Sequence, residues 1–285
     1  MAASTVRRRR SAFAAGLATL AMTLSLAATP AQALDKIDSY VALGDSYAAG
    51  QGAGPYLDGC FRSDNAYSEL ADALKTVKVV TNVACSGRTT QGVVQEQLGQ
   101  LNRKTDLVTI TAGGNNLGFG DIGNYCGAVA FGNSAAGPAC DAATAYAAAQ
   151  IGNGTGPLYS DVISMIQSVH AAAPNAKIVV TGYPYLFDPL TSPPTDPLST
   201  FIYQATLLAD GLNGSIAAAA GTAHTVGGID VEFVDVRSAF AGHGALSANG
   251  PWINLNFGDP TSLLHPNAQG YQAYFTALSS AGVYK

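Results

Sequence analysis

Leu107-Val108-Thr109-Ile110-Thr111, running straight into Ala112-Gly113-Gly114-Asn115-Asn116, is the stretch that decides the fold. Its first four residues, and likewise 178–180, carry apolar side chains on both faces, as strands do in a parallel sheet covered from both sides. Working outward, 40–43, 77–83, 177–181 and 231–236 also read as strands. Between them lie segments with helical spacing at 65–74, 89–101, 157–172, 201–220 and 267–278. Ser63 or Asp64 is the candidate cap of the first, and Leu158, Val162, Ile163, Ile166 and Val169 share one face of the third. Strands separated by helices predict βαβ units, hence one three-layer α/β/α domain with a central parallel sheet of about five strands. Ligands in such sheets bind beyond the carboxyl ends of the strands, so the loops after strands one, three and five are the first to inspect.

Composition narrows the function. The chain has 285 residues, 48% hydrophobic and 12% charged, which excludes a disordered chain. A net charge of −5 argues against nucleic-acid binding through a basic face. Arg7 to Arg10, an apolar run over 11–29 and the small-x-small triplet Ala31-Gln32-Ala33 predict a secretory signal peptide over 1–33, cleaved after Ala33. A membrane anchor is the weaker reading, because the run is short and a good cleavage site follows it. The arginines suit twin-arginine export, and the general secretory route fits equally. Removing the leader takes away the four arginines and no acid, leaving a domain over 34–285 with net charge −9. Contact with a lipid surface must then be apolar and transient rather than electrostatic. An exported chain with four cysteines predicts disulfides. Sequential pairing, Cys60–Cys85 and Cys126–Cys140, closes short loops worth about 3 kcal/mol each, while two other connectivities stay open. No C-x-x-C occurs, which weakens zinc and redox readings.

Two insertions stand out, 113–156 and the proline-rich 184–197, and both are expected on the functional rim. Four blocks carry the chemistry. Gly44-Asp45-Ser46-Tyr47 follows the first strand, Ala84-Cys85-Ser86-Gly87 the second and Ala112-Gly113-Gly114-Asn115-Asn116 the third. Thr261-Ser262-Leu263-Leu264-His265-Pro266-Asn267 precedes the last helix. A serine at a strand-to-helix turn presents its hydroxyl beside backbone N–H groups, and needs a base such as histidine to become a nucleophile.

In this order the blocks resemble the SGNH (GDSL) hydrolase family, and most of all its secreted actinobacterial lipases and esterases. The resemblance spans nearly all of the mature chain. It implies a flavodoxin-like three-layer fold and a serine hydrolase for lipid-type carboxylic esters, with no cofactor and no metal. Ser46 would be the nucleophile and His265 the general base. The Ser46 and Gly87 amides and the Asn115 side chain would form the oxyanion hole. Two departures bear on this. Asn116 stands where the family commonly has Asp. Ser262 stands where the acid usually lies, three residues before the histidine. The backbone carbonyl of Ser262 is therefore the expected partner of the ring, leaving a Ser–His dyad, with Asp259 as the competing orienter.

Blander readings account for the remaining candidates. His170 sits near a helix C-terminus, and His224 and His243 lie in Gly/Ala-rich loops without a ligand pattern. The glycines at 50–54 and Gly113-Gly114 match no nucleotide fingerprint, and the sequons at Asn153 and Asn213 are chance matches. Trp252 is a candidate pocket wall. G-x-S-x-G does not surround Ser46, which argues against the α/β-hydrolase class of lipases. Tyr185, Leu186, Phe187 and Leu190, with Leu263-Leu264, suggest an acyl pocket. Phospholipase A and carbohydrate O-acetylesterase activities are open on the same chemistry. From another class comes a catalytically inert glycan- or lipid-binding module. The chain is expected to act as a monomer on an ester substrate, with no nucleic-acid partner.

Overall fold

β-Branched and leucine side chains draw five segments into extended backbone: β1 (Tyr40–Gly44), β2 (Val80–Asn82), β3 (Leu107–Thr111), β4 (Lys177–Thr181) and β5 (Val231–Val234). The computed structural model describes Met1 and residues 36–285, so the leader and cleavage site read at 1–33 lie outside the described residues. All neighbouring strands are parallel, in the order β2-β1-β3-β4-β5. The order reverses between β1 and β3, and that switch point is where a doubly wound sheet opens a crevice. β3 and β4 coincide with the segments read from sequence. The segments expected at 77–83 and 231–236 pair over shorter stretches at the two edges of the sheet. Before β2 only an isolated bridge joins Val77 to Ile37.

The described helices include α1 (Ser46–Ala49), α2 (Thr90–Glu96), α3 (Gly137–Ile151), α4 (Pro157–Ala172), α5 (Pro197–Thr225) and α6 (Ala268–Ser280). Thr89, Asp196 and Asn267 cap α2, α5 and α6 through their side-chain oxygens. α5 begins before the expected 201 because Pro197 takes the first-turn position and Asp196 and Ser199 make a capping box. Thus part of the 184–197 insertion is a helix start. The helix expected over 65–74 is a correction: only a 3₁₀ segment forms, at Glu69–Ala73. Upstream, Ser63 Oγ accepts the Asn65 amide, and the Asn65 side chain donates to the Ala53 and Gly54 carbonyls, drawing the chain into a turn. α3 lies inside the 113–156 insertion, where no helix was expected. Only Cys140 and Ala147 are buried along it, so its alanines form a helix through propensity rather than through an apolar face. Disulfides join Cys60 to Cys85 and Cys126 to Cys140, the sequential pairing.

The threonines of the central strands are buried, and each has a hydroxyl partner. Thr109 pairs with Tyr40, Thr111 with Tyr67 and Thr181, and Thr181 with Tyr274, at 2.6–2.9 Å. Tyr67 and Tyr274 stack with centroids 4.7 Å apart. At the end of β1 the chain passes very close to β3. Gly44 has φ +133°, and a Cβ placed on it would lie 2.1 Å from the Thr111 carbonyl oxygen, so only glycine fits. The buried side-chain amide of Gln97, after α2, then accepts from Gly44 N and donates to Gly44 O, both at 2.8 Å. Gln97→Leu leaves the Gly44 amide buried without that acceptor. It should cost roughly 2–4 kcal/mol, read as a lower urea midpoint with an unchanged slope.

Candidate active site

Ser46 is the first residue of α1, delivered to the carboxyl end of β1 by the Gly44 turn. Asp45 caps α1 by accepting the Tyr47 amide at 2.9 Å. The Ser46 hydroxyl lies 2.9 Å from His265 Nε2. His265 Nδ1 lies 2.8 Å from the Leu263 carbonyl. A carbonyl only accepts, so Nδ1 carries the proton and Nε2 is the lone-pair nitrogen facing the serine. Burial pushes the imidazole pKa down to about 4, against a smaller opposing effect of the Leu263 carbonyl. The ring therefore rests neutral near pH 7, as a base must.

The orienting partner differs from both expected ones. The Ser262 carbonyl is taken by the His265 backbone amide at 3.0 Å and does not meet the ring. Asp259 turns to its own loop, where its carboxylate accepts the Thr261 amide at 3.2 Å. Leu264 adopts a left-handed φ of 58°, which reverses the chain so that the Leu263 carbonyl, one residue beyond Ser262, faces Nδ1.

The expected oxyanion groups gather around the same cleft, whose lining includes Ser46, Gly87, Asn115 and His265. Among the described residues neither the Ser46 nor the Gly87 amide has a protein acceptor. Gly87 has φ +79°, and a hydrogen bond from Ser86 N to Cys60 O braces its turn beside the Cys60–Cys85 disulfide. Asn115 donates one side-chain N–H to the Arg88 carbonyl at 2.9 Å, which leaves its second N–H for the cleft. Asn116, in place of the family's Asp, accepts from Thr90 N and donates to Thr90 Oγ1, Gln91 and Asp161. An ionised carboxylate has no proton to offer Asp161, so asparagine suits this neighbourhood.

The cleft encloses about 310 Å³, with Phe119, Leu186, Leu212, Pro260, Leu263 and Leu264 among its apolar walls. The acyl-pocket expectation needs amending along 185–190. Leu186 lines the cleft, whereas Tyr185 donates to Asp210 at 2.6 Å, Phe187 is buried in the core and Leu190 is exposed. Trp252 stacks on His243 with centroids 3.6 Å apart and is not among the lining residues. The long connection after β5 reaches the cleft at its far end, where Pro260, Leu263, Leu264 and His265 line it. The loops after β2 and β4 contribute as well, through Gly87 and through Tyr183 and Leu186.

The loop after β4 carries what sequence reasoning missed. Tyr183 donates to the buried Asp45 carboxylate at 2.5 Å and accepts the Gly114 amide at 3.1 Å, tying the Ser46 turn to the Asn115 turn. Burial raises the Asp45 pKa to about 7, opposed by the Tyr183 hydrogen bond and by backbone amides. The usable signal was position, a tyrosine two residues beyond a buried strand at the same sheet edge. Among the described residues no three His, Cys, Asp or Glu side chains converge to hold a metal ion.

Known proteins share this arrangement of chain. Residues 42–273 match the family model described as GDSL-like Lipase/Acylhydrolase. The chain is 35% identical to Lipase 1 of Streptomyces coelicolor over 278 residues, covering 94% of each. The crystal structure of an extracellular lipase from Streptomyces rimosus superposes with a TM-score of 0.73 at 33% identity, covering 86% of this chain and 99% of that one. A phospholipase A1 from Streptomyces albidoflavus gives 0.72 at 32% identity, with the same coverage. Family model, identity and fold agree that this chain belongs to the GDSL-like lipase/acylhydrolase family of ester hydrolases.

Proposed function

We propose that this lipase/esterase cleaves lipid-type carboxylic esters through an acyl-Ser46 intermediate. The contact between Ser46 Oγ and His265 Nε2 carries the reading. The Ser46 oxygen bonds to the ester carbonyl carbon as its proton passes to Nε2. The charge that develops on the carbonyl oxygen meets the Ser46 and Gly87 amides and the Asn115 side chain. Collapse expels the alcohol, which takes the proton from His265. Water, deprotonated by the same ring, then releases the acid and restores Ser46. Each group used in these steps is a residue of this chain, so the proposed chemistry calls for no second subunit, cofactor or metal.

The apolar walls favour an acyl chain over a sugar, and this supports a lipid ester against a carbohydrate O-acetylester. A phospholipase A role draws on the Streptomyces albidoflavus relative. Against it, among the described residues no Lys or Arg lines the cleft to meet a phosphate, and the nearby Arg88 side chain pairs with Glu96 at 2.7 Å. Phe131 and Phe257 meet edge-to-face at 4.9 Å while remaining 50% and 60% exposed. Phe131 follows the rim segment that holds Gly123 and Asn124, and Phe257 precedes Pro260. The pair supports transient apolar contact with a lipid surface. Export with cleavage after Ala33, giving a mature hydrolase domain over 34–285, is supported by the leader pattern, the two disulfides and an extracellular relative.

Ser46→Ala should lower hydrolysis by roughly 10⁴-fold or more and abolish fluorophosphonate labelling. Labelling that fails in the folded wild type points instead to an inert binding module. Asn115→Ala should lower kcat by about 10²-fold with little change in KM, whereas Asp259→Ala should stay within about threefold in kcat because its carboxylate does not reach the ring. On p-nitrophenyl esters from acetyl to palmitoyl, beside a phospholipid and acetylated xylan, longer acyl chains should be preferred; a sharp acetyl optimum overturns the lipid reading. His265 works as a base only when neutral, so the acid limb of kcat/KM should fall near pH 4 rather than at the ~6.5 of a free imidazole. Between those values the unfolded chain binds more protons at this site, so its contribution to stability rises with pH. The raised pKa of Asp45 works in the opposite sense, so activity reads His265 more cleanly than stability does.

A further inference from the structure

We infer that Tyr47 is a positioning residue for His265: its hydroxyl holds the Leu264 carbonyl and so fixes the turn that aims the Leu263 carbonyl at the imidazole. This deepens the Ser46–His265 reading and rests on it.

Among the described residues no carboxylate holds the ring, and its orientation follows the direction of one backbone carbonyl. That direction is set by the peptide joining residues 263 and 264. Leu264 sits at φ 58°, a region unfavourable for a side chain with a Cβ, so surrounding contacts must hold it there. Three do so. Leu264 N donates to the Asn254 carbonyl at 2.8 Å. Its side chain packs against Gly123, where an added Cβ would come within 3.1 Å of Leu264 Cδ1. Tyr47 Oη donates to its carbonyl oxygen at 2.7 Å.

The third contact differs in kind, because Tyr47 follows Ser46 directly in α1. One four-residue helix thus carries both the hydroxyl that the base must reach and the clamp on the turn that orients the base. Any shift of α1 moves both together, which holds Ser46 Oγ in register with His265 Nε2. The Tyr47 ring packs 5.3 Å from the imidazole and edge-on to Tyr183 at 5.1 Å. Burial and the neighbouring Asp45 carboxylate keep the phenol protonated, so it stays a donor.

Tyr47→Phe keeps the ring, and with it the cleft wall, and removes only the clamp. Expected are kcat on p-nitrophenyl butyrate and the rate of Ser46 phosphonylation each lower by about tenfold, with KM within about twofold. The downfield Nδ1–H proton resonance of His265, assigned by its loss in His265→Gln, should broaden or shift. Leu264→Gly, which loosens the same turn, should also lower kcat. The double variant should lose no more than the larger single loss, because the two residues act as one device. Unchanged kcat and resonance in folded Tyr47→Phe, a rise in KM alone, or losses that multiply in the double variant overturn the inference. Should Tyr47→Phe not fold, Leu264→Gly decides alone, and an unperturbed resonance and kcat refute the clamp. Hydrolysis that survives Ser46→Ala sinks the underlying reading instead, an outcome separate from these.

Discussion

The end of β1 runs against β3 so closely that no side chain fits between Gly44 and the Thr111 carbonyl. Most of the site depends on that approach. It brings the turn after β1 beside the turn after β3 at the switch point of the sheet, which places Ser46 and Asn115 along one cleft. Backbone groups at so tight a junction need partners, and Gln97 supplies them from beyond α2. Tyr183 then bridges the two turns through Asp45 and Gly114. A glycine, a buried amide and a phenol thus do for the loops what the ladder hydrogen bonds do for the strands.

The groups that would meet an ester in the cleft those turns form are uncharged at rest. The proposed base is a neutral imidazole held by a neutral carbonyl, and the candidate oxyanion donors are two peptide amides and a carboxamide. The buried acid next to Ser46, Asp45, is occupied by Tyr183 and by the Tyr47 amide of α1 rather than by the histidine. On this reading the reacting groups themselves become charged only as the reaction proceeds, and they do so as a pair: negative on the ester oxygen, positive on the imidazole a few ångströms away. Donors fixed in advance stabilise such charges without reorganising, and the two charges stabilise each other.

Much of this was legible in the chain. β3, α4 and β4 fall on the residues that periodicity gave them, because buried strands and an amphipathic helix leave unambiguous patterns. The four blocks were legible because each sits at a strand end or helix start, where local chemistry and topology agree. What escaped detection depends on tertiary contact or on the absence of pattern. α3 is alanine-rich and has no apolar stripe to betray it. Gln97 fell inside the segment read only as helical over 89–101, whereas its role is set by Gly44, fifty-three residues away. Tyr183 lies just ahead of the insertion singled out at 184–197, and its role is set by Asp45, 138 residues away. The histidine's partner was placed one residue short, at Ser262, because a leucine gives no hint that it will take a left-handed conformation.

The Leu263 carbonyl carries a consequence of its own. An acidic triad member is a side chain, and a single codon change deletes it. A main-chain oxygen is specified by no codon, and every amino acid at position 263 brings the same acceptor. Mutation there can redraw the cleft wall, and with it substrate fit, while the acceptor persists. Drift in what the enzyme prefers is thereby uncoupled from the group that keeps its histidine in place, provided the bend at 264 survives.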